Sequence, residues 1–113
     1  MLAKPNRLAR RRDFDALFKK GRRASDAFLT LTHARTAATS PFRMAFIISA
    51  KTEKSAVKRN RAKRQAREIV KAILPALPKG IDTALTIKRP FLNLDFAKKR
   101  EAVLRLLKRA RLV

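Results

Sequence analysis

Residues 58–74 read Lys58-Arg59-Asn60-Arg61-Ala62-Lys63-Arg64-Gln65-Ala66-Arg67-Glu68-Ile69-Val70-Lys71-Ala72-Ile73-Leu74. At about 100° per residue on a helix, Ala62, Ala66, Ile69, Val70 and Ile73 gather on one side. Arg59, Asn60, Lys63, Arg64, Arg67 and Lys71 spread over the flank and the opposite side. The apolar stripe needs a layer to pack on, so this helix belongs to a packed domain. A solvated charged face normally mixes Glu with Lys to gain i,i+4 pairs. Between Lys54 and Lys71 the only acid is Glu68, which leaves self-repulsion uncompensated and points to a polyanionic partner.

At 113 residues the chain has the size of one domain, 1–113, with a single modest core. Hydrophobic residues make up 46%, too many for a disordered tail, yet the formal net charge is +22. Such a field binds phosphate backbones with a strength that falls steeply with salt, so nucleic acid is the leading partner class. An anionic membrane is the rival, because basic amphipathic helices also lie on headgroups. Trp and Tyr, the usual interfacial anchors, are absent, and no window approaches the roughly 18 apolar residues of a span, so no membrane partner is expected. Residues 1–12 are basic but lack the apolar run of a secretory signal and are expected to be retained. With zero Cys there is no disulfide framework or thiolate metal site, and the expected location is cytoplasmic.

Working outward, the pattern gives further elements. Residues 2–8 contain Pro5 and Asn6 and read as irregular, either a frayed end or a segment offering Lys4 and Arg7 to a partner. Phe14, Leu17 and Phe18 fall at i, i+3 and i+4 in a short helix over 11–20, with Gly21 expected as a left-handed cap. Phe14 and Phe18 read first as core residues; left exposed, such a pair would stack nucleobases. A Gly21-Arg22-Arg23 hinge leads to a strand over 27–33 and a loop over 35–41. His33, the only His, is expected exposed on that strand rather than bound to metal.

Residues 43–49 carry Met44, Phe46 and Ile48 on one face and Ala45 and Ile47 on the other, which predicts a buried central strand paired antiparallel with its predecessor. Thr52 or Ser55 would cap the basic helix, and Pro75 and Pro78 stop it after Leu74. A strand over 81–88 and a closing helix follow, the latter with Asn93 as cap, Asp95 in its first turn, and Phe96, Val103, Leu106, Leu107 and Ala110 in its stripe. The expected fold is α+β, a single-layer sheet packed with helices in the order α-β-β-β-α-β-α.

Catalytic chemistry finds no footing. The acids are Asp13, Asp15, Asp26, Glu53, Glu68, Asp82, Asp95 and Glu101, scattered among elements, whereas hydrolysis of a phosphodiester needs clustered carboxylates with metal or a His–acid pair. Two Gly residues cannot form a glycine-rich phosphate loop, and no small-molecule substrate is expected.

The run Ser55-Ala56-Val57-Lys58-Arg59-Asn60-Arg61-Ala62-Lys63-Arg64-Gln65-Ala66-Arg67-Glu68 resembles the RNR signature of the protein subunit of bacterial ribonuclease P. Arg7-Leu8 and Arg12-Asp13-Phe14-Asp15-Ala16-Leu17-Phe18-Lys19-Lys20-Gly21 resemble that family's opening helix, and the likeness covers nearly the whole chain. The resemblance implies a protein that assists a catalytic RNA in removing the 5′ leader of precursor tRNA, with Mg²⁺ held mainly by the RNA subunit. It implies a left-handed βαβ crossover, an exception to the usual hand. It assigns Arg59, Asn60, Arg61, Lys63, Arg64 and Arg67 to the RNA subunit. Phe14, Phe18, Lys19, Lys20, Arg22, Arg23, Lys51 and Lys54 would meet the leader. Where many members carry Ser-Lys-Lys followed by Val-Gly, this chain has Ser49-Ala50-Lys51-Thr52-Glu53-Lys54, which loses one cation and gains an acid. The alternative is a general nucleic-acid-binding or ribosomal protein without a processing role.

Overall fold

Alternating apolar side chains over residues 81–87 produce the strand on which the sheet is built. The computed structural model describes residues 2–113. In it β4 (Ile81–Ile87) lies between β2 (Leu29–Arg35), antiparallel to it, and β3 (Arg43–Ile47), parallel to it. β1 (Arg22–Ser25) adds antiparallel to β2, giving the order β1-β2-β4-β3. The helices are α1 (Arg11–Lys20), α2 (Ala56–Ile73), the single turn α3 (Arg89–Leu92) and α4 (Phe96–Arg109). The order is thus α-β-β-β-α-β-α with one extra turn before the last helix.

The main core lies on one face of the sheet. Leu29, Leu31, Met44, Leu85 and Ile87 point into it and meet Ala62, Ala66, Ile69 and Val70 of α2 and Val103, Leu106 and Leu107 of α4. Each Leu, Ile, Val or Met among them contributes about 1.5–3 kcal/mol on burial. The other face holds a smaller cluster, in which Leu8, Leu17 and Ala84 are joined by the partly buried Phe14, Ala34, Ala45 and Ile47. One ten-residue helix, α1, covers only part of this face, and Thr30 and Thr86, paired across β2 and β4, remain partly exposed there.

Two strand assignments change. β2 and β3 do not pair with each other, because β4 enters between them and α2 carries the chain from β3 to its parallel neighbour. β3 is therefore an edge strand and not a central one. Its two apolar faces have separate causes: Met44 and Phe46 face the main core, while Ala45 and Ile47 face the smaller cluster. Its outer edge is met at Met44 by the segment before α1, where Arg7 bridges to Met44 and Leu8 N donates to Met44 O at 3.3 Å. That segment is not frayed. Leu2 and Leu8 are buried, a 3₁₀ turn spans Lys4–Asn6, and Asn6 Nδ2 donates to Phe42 O at 2.8 Å.

Local signals also shift. Gly21 is extended (φ −70°, ψ 152°), not left-handed, and the expected hinge after it is the start of β1. Glycine is needed there for space, since a Cβ would run into Leu17 O and Thr32 Cγ2. The strand expected from residue 27 begins at Leu29, because Asp26 Oδ1 accepts from Phe28 N and Leu29 N and holds a turn. Of the two candidate caps of α2, Ser55 takes the role through Lys58 N. Asp95, not Asn93, caps α4, its Oδ1 accepting from Lys98 N at 2.9 Å; Asn93 instead ends α3.

Candidate nucleic-acid interface

With the apolar stripe of α2 pressed into the core, its remaining surface has to face outward. Lys58, Asn60, Arg61 and Arg64 are exposed, and Arg59, Lys63 and Arg67 are half-buried along the flanks. Among the described residues the only ion pairs are Arg43–Asp82 and Arg43–Asp13, so none of the α2 cations is neutralised by an acid. All six expected RNA-contacting residues share this helix. They do not behave alike, however. Arg59 Nη1 donates to Glu53 O at 2.7 Å and Lys54 O at 3.0 Å, tying the helix to the loop before it. Lys63 and Arg67 instead rim a cavity of about 310 Å³, together with Arg7, whose floor includes Leu8, Phe14, Met44 and Phe46.

The loop over 49–54 is closed by Ser49, whose Oγ accepts from Thr52 N at 3.1 Å, and Lys51 and Lys54 project into solvent. Glu53, the acid at a departure from the family pattern, engages no cation in an ion pair among the described residues.

On the other face of the sheet, Phe14 and Phe18 stack with ring centroids 6.4 Å apart and planes at 11°. The pair divides the two readings between its members. Phe14 packs in the smaller cluster, while Phe18 is 40% exposed and offers an open ring edge and face. Lys19 and Lys20 continue α1 as exposed cations, and Arg22 and Arg23 lie exposed on the edge strand β1. The eight expected leader contacts therefore fall into two groups, one around α1 and β1 and one on the loop before α2.

Three features escaped the sequence pattern. Lys99 of α4 is only 7% exposed; its Nζ donates to Gln65 Oε1 of α2 at 2.6 Å and stands 5.7 Å from the Phe91 ring centroid. Burial, and then the nearby Arg61, lower its pKa below the ordinary lysine value. Its position four residues before Val103 places it on the stripe of α4, which was the signal available. Arg43 joins β3 to Asp82 of β4 and Asp13 of α1, and hydrogen bonding to Asp82 raises its pKa first of all. His33 is half-buried, not exposed, and burial followed by Arg22 lowers its pKa.

No three His, Cys, Asp or Glu side chains come together as a metal ion would need among the described residues. Asp13 and Asp82, the acids that do approach one another's neighbourhood, share the Arg43 guanidinium. The residues present therefore do not fit a Mg²⁺ cage of this chain's own. Among the described residues no helix is long and apolar enough to cross a membrane.

Comparison with known proteins agrees with this geometry. Residues 2–111 match the family model described as Ribonuclease P. The ribonuclease P protein component of Synechococcus sp. (strain JA-2-3B'a(2-13)) is 40% identical over all of this chain and 87% of its own. That of Chloroflexus aggregans is 36% identical over 96% of this chain and 80% of its own. Among solved structures, the ribonuclease P protein of Thermotoga maritima superposes with a TM-score of 0.81 at 30% identity, covering 91% of this chain and 96% of that one. The Staphylococcus aureus protein shares the fold, with a TM-score of 0.87 at 22% identity over 95% of this chain and 96% of that one. A signature helix whose outer face carries Glu68 as its one acid among many cations, an aromatic pair on the opposite side of the sheet and a match along almost the whole length place the chain in the ribonuclease P protein family.

Proposed function

We propose that the chain works as the RNA-binding protein component of ribonuclease P, assisting a catalytic RNA in the endonucleolytic removal of the 5′ leader from precursor tRNA in the cytoplasm. The observation that supports this reading is the placement of a cationic helix face and a stacked aromatic pair on opposite sides of one sheet. α2 turns its cations outward over the main core, and α1 holds Phe14 and Phe18 over the other face. A wedge of this kind can touch two RNA molecules at once.

In the proposed mechanism the outer residues of α2, Asn60, Arg61 and Arg64 with Lys63 and Arg67, lie on phosphates of the catalytic RNA. Arg59 acts beside them by holding the loop that carries Lys51 and Lys54. Phe18, backed by Phe14, stacks on a leader base, which is worth about 1–3 kcal/mol and is tolerant of sequence. Lys19, Lys20, Arg22, Arg23, Lys51 and Lys54 track the leader backbone. A formal charge of +22 between two polyanions lowers the repulsion of their encounter. Mg²⁺ held by the RNA supplies the hydrolytic chemistry; this chain contributes position and field.

Reconstitution tests the proposal. Added to the catalytic RNA at low Mg²⁺, the protein is expected to restore cleavage of precursor tRNA and to favour leader-bearing over mature tRNA in binding. Unchanged cleavage would end the subunit reading, and equal binding of the two tRNA forms would favour a general nucleic-acid-binding protein.

A further inference from the structure

At the end of the sheet opposite the loop of residues 49–54, a cavity of about 990 Å³ opens between α1, the ends of β2 and β4, and the turn after α4. The α1 side chains that border it, Asp13, Ala16, Leu17 and Lys20, are centred roughly 130° around the helix from Phe14 and Phe18. It therefore lies on the other flank of α1 from the aromatic pair.

Besides Arg43, five cations from five separate segments converge on this trough: Lys20, Arg22, Arg35, Lys79 and Arg111. None makes an ion pair among the described residues, because both acids of the wall, Asp13 and Asp82, are taken by Arg43. Lys20 ends α1 and Arg111 follows α4, and near a helix C-terminus the dipole favours a cation anyway. Arg35 and Lys79 belong to no helix, so the dipole does not account for the group.

Two further observations point to a ligand. Arg111 has φ 61°, the left-handed conformation that usually falls to glycine at this place after a helix. A cation is thus held where the backbone would be easier without a side chain, as happens at ligand clamps. The one buried side-chain polar atom without a hydrogen-bond partner among the described residues, Thr36 Oγ1, belongs to a residue of the trough wall. That wall is firm: Thr36 N donates to Gly80 O and Gly80 N to Ser40 O, both at 2.7 Å. Cations outnumber the single ring that lines the trough, the half-buried His33 imidazole, so it offers contacts chiefly to phosphate and sugar rather than to bases.

We infer that this trough is a second RNA site, which takes the phosphates of leader nucleotides lying beyond those on Phe18. The inference rests on the leader-binding function proposed for α1. A strand crossing α1 at the aromatic pair passes Lys20 and Arg22 and enters the trough, where Arg35, Lys79 and Arg111 meet successive phosphates. Five cations around one concavity suit several phosphates rather than a single small anion, and a contact blind to base identity suits leaders of any sequence.

Leader length tests it. Binding to the protein–catalytic RNA complex is measured for precursor tRNAs with a leader long enough to reach the trough, with a short one, and with none. With Arg35→Ala, Lys79→Ala and Arg111→Gly combined, the long-leader substrate is expected to lose about tenfold in affinity. Its salt slope should fall by about 2, near 0.7 for each single-strand phosphate released. The short-leader and mature forms should keep their affinities. An equal loss on all three substrates, or weaker binding of the catalytic RNA itself, would assign the trough to that RNA and overturn the inference, as would no loss at all. Failure of the underlying reading shows differently: the unmodified protein would not distinguish leader-bearing from mature tRNA. Arg111→Gly alone, which removes a cation while easing the backbone, should reproduce about a twofold part of the long-leader loss and serves if the combined variant does not fold.

Discussion

Arg43 Nε and Nη2 each donate to one carboxylate oxygen of Asp82 at 2.7 Å, while Nη1 reaches Asp13 at 3.3 Å. One guanidinium thereby joins β3, β4 and α1.

Arg43→Ala would leave the Asp82 carboxylate, 5% exposed, without its cation. Breaking a buried pair from one side costs about 3–5 kcal/mol, and the partial exposure of Arg43 lowers the expectation to about 2–3 kcal/mol. Urea unfolding measures it. A loss below about 1 kcal/mol would mean that apolar packing alone holds α1 in place.

The exposed residues Arg61 and Arg64 should be removable without harm to the fold, within about 0.5 kcal/mol. Binding of the catalytic RNA should weaken, and its salt slope should drop by about 0.9 for each duplex phosphate that is no longer neutralised. Arg59→Ala should act through the loop instead, with faster hydrogen exchange at the Thr52 and Glu53 amides. Unchanged exchange would show that the two carbonyl bonds of Arg59 do not order that loop.

The stacked phenylalanines should separate in a mutational comparison. Phe18→Ala is expected to cost little stability but to reduce discrimination between precursor and mature tRNA by about 5-fold or more, the equivalent of about 1 kcal/mol of stacking. Phe14→Ala should show a similar binding loss together with about 1–2 kcal/mol of destabilisation, because that ring also fills the smaller cluster. A Phe18→Ala protein with unaltered discrimination would remove the ring from the leader path.

Stability should depend on pH through His33. Burial and Arg22 lower its folded pKa below 6.5, the ordinary value, which the unfolded chain retains. Below that value the unfolded state binds more protons, so stability falls as pH drops through 6.5 and the fall ends once the folded imidazole is also charged. Urea midpoints of the unmodified protein and of His33→Gln, compared between about pH 5 and 8, isolate this contribution. Parallel curves would count against it.

Much of the architecture could be read from residue patterns because the apolar stripes of α2 and α4 and the alternation of β4 are long and uninterrupted. A third strand before α2 was expected but the place of β1 was hidden, because Arg22 and Arg23 read as a hinge, and a four-residue edge strand with one half-buried side chain carries almost no periodicity. Strand order was not legible either. Nothing local in residues 27–49 tells that β4, far later in the chain, will enter between β2 and β3. The cationic face of α2 was legible since its Lys and Arg residues are crowded into one short stretch. Arg59 as a loop clamp, Lys99 behind the helix and the trough were not, because each depends on groups brought together from distant segments.

The segment 2–8, laid along the outer side of β3, has a consequence for how this molecule behaves in a crowd. With that rim already bridged at Met44 and the opposite one limited to four residues bearing Arg22 and Arg23, neither side offers another chain a long unpaired strand. A highly cationic protein gathered on RNA at high local concentration is thereby kept from polymerising through its backbone, and stripping off those first residues should expose it to that fate.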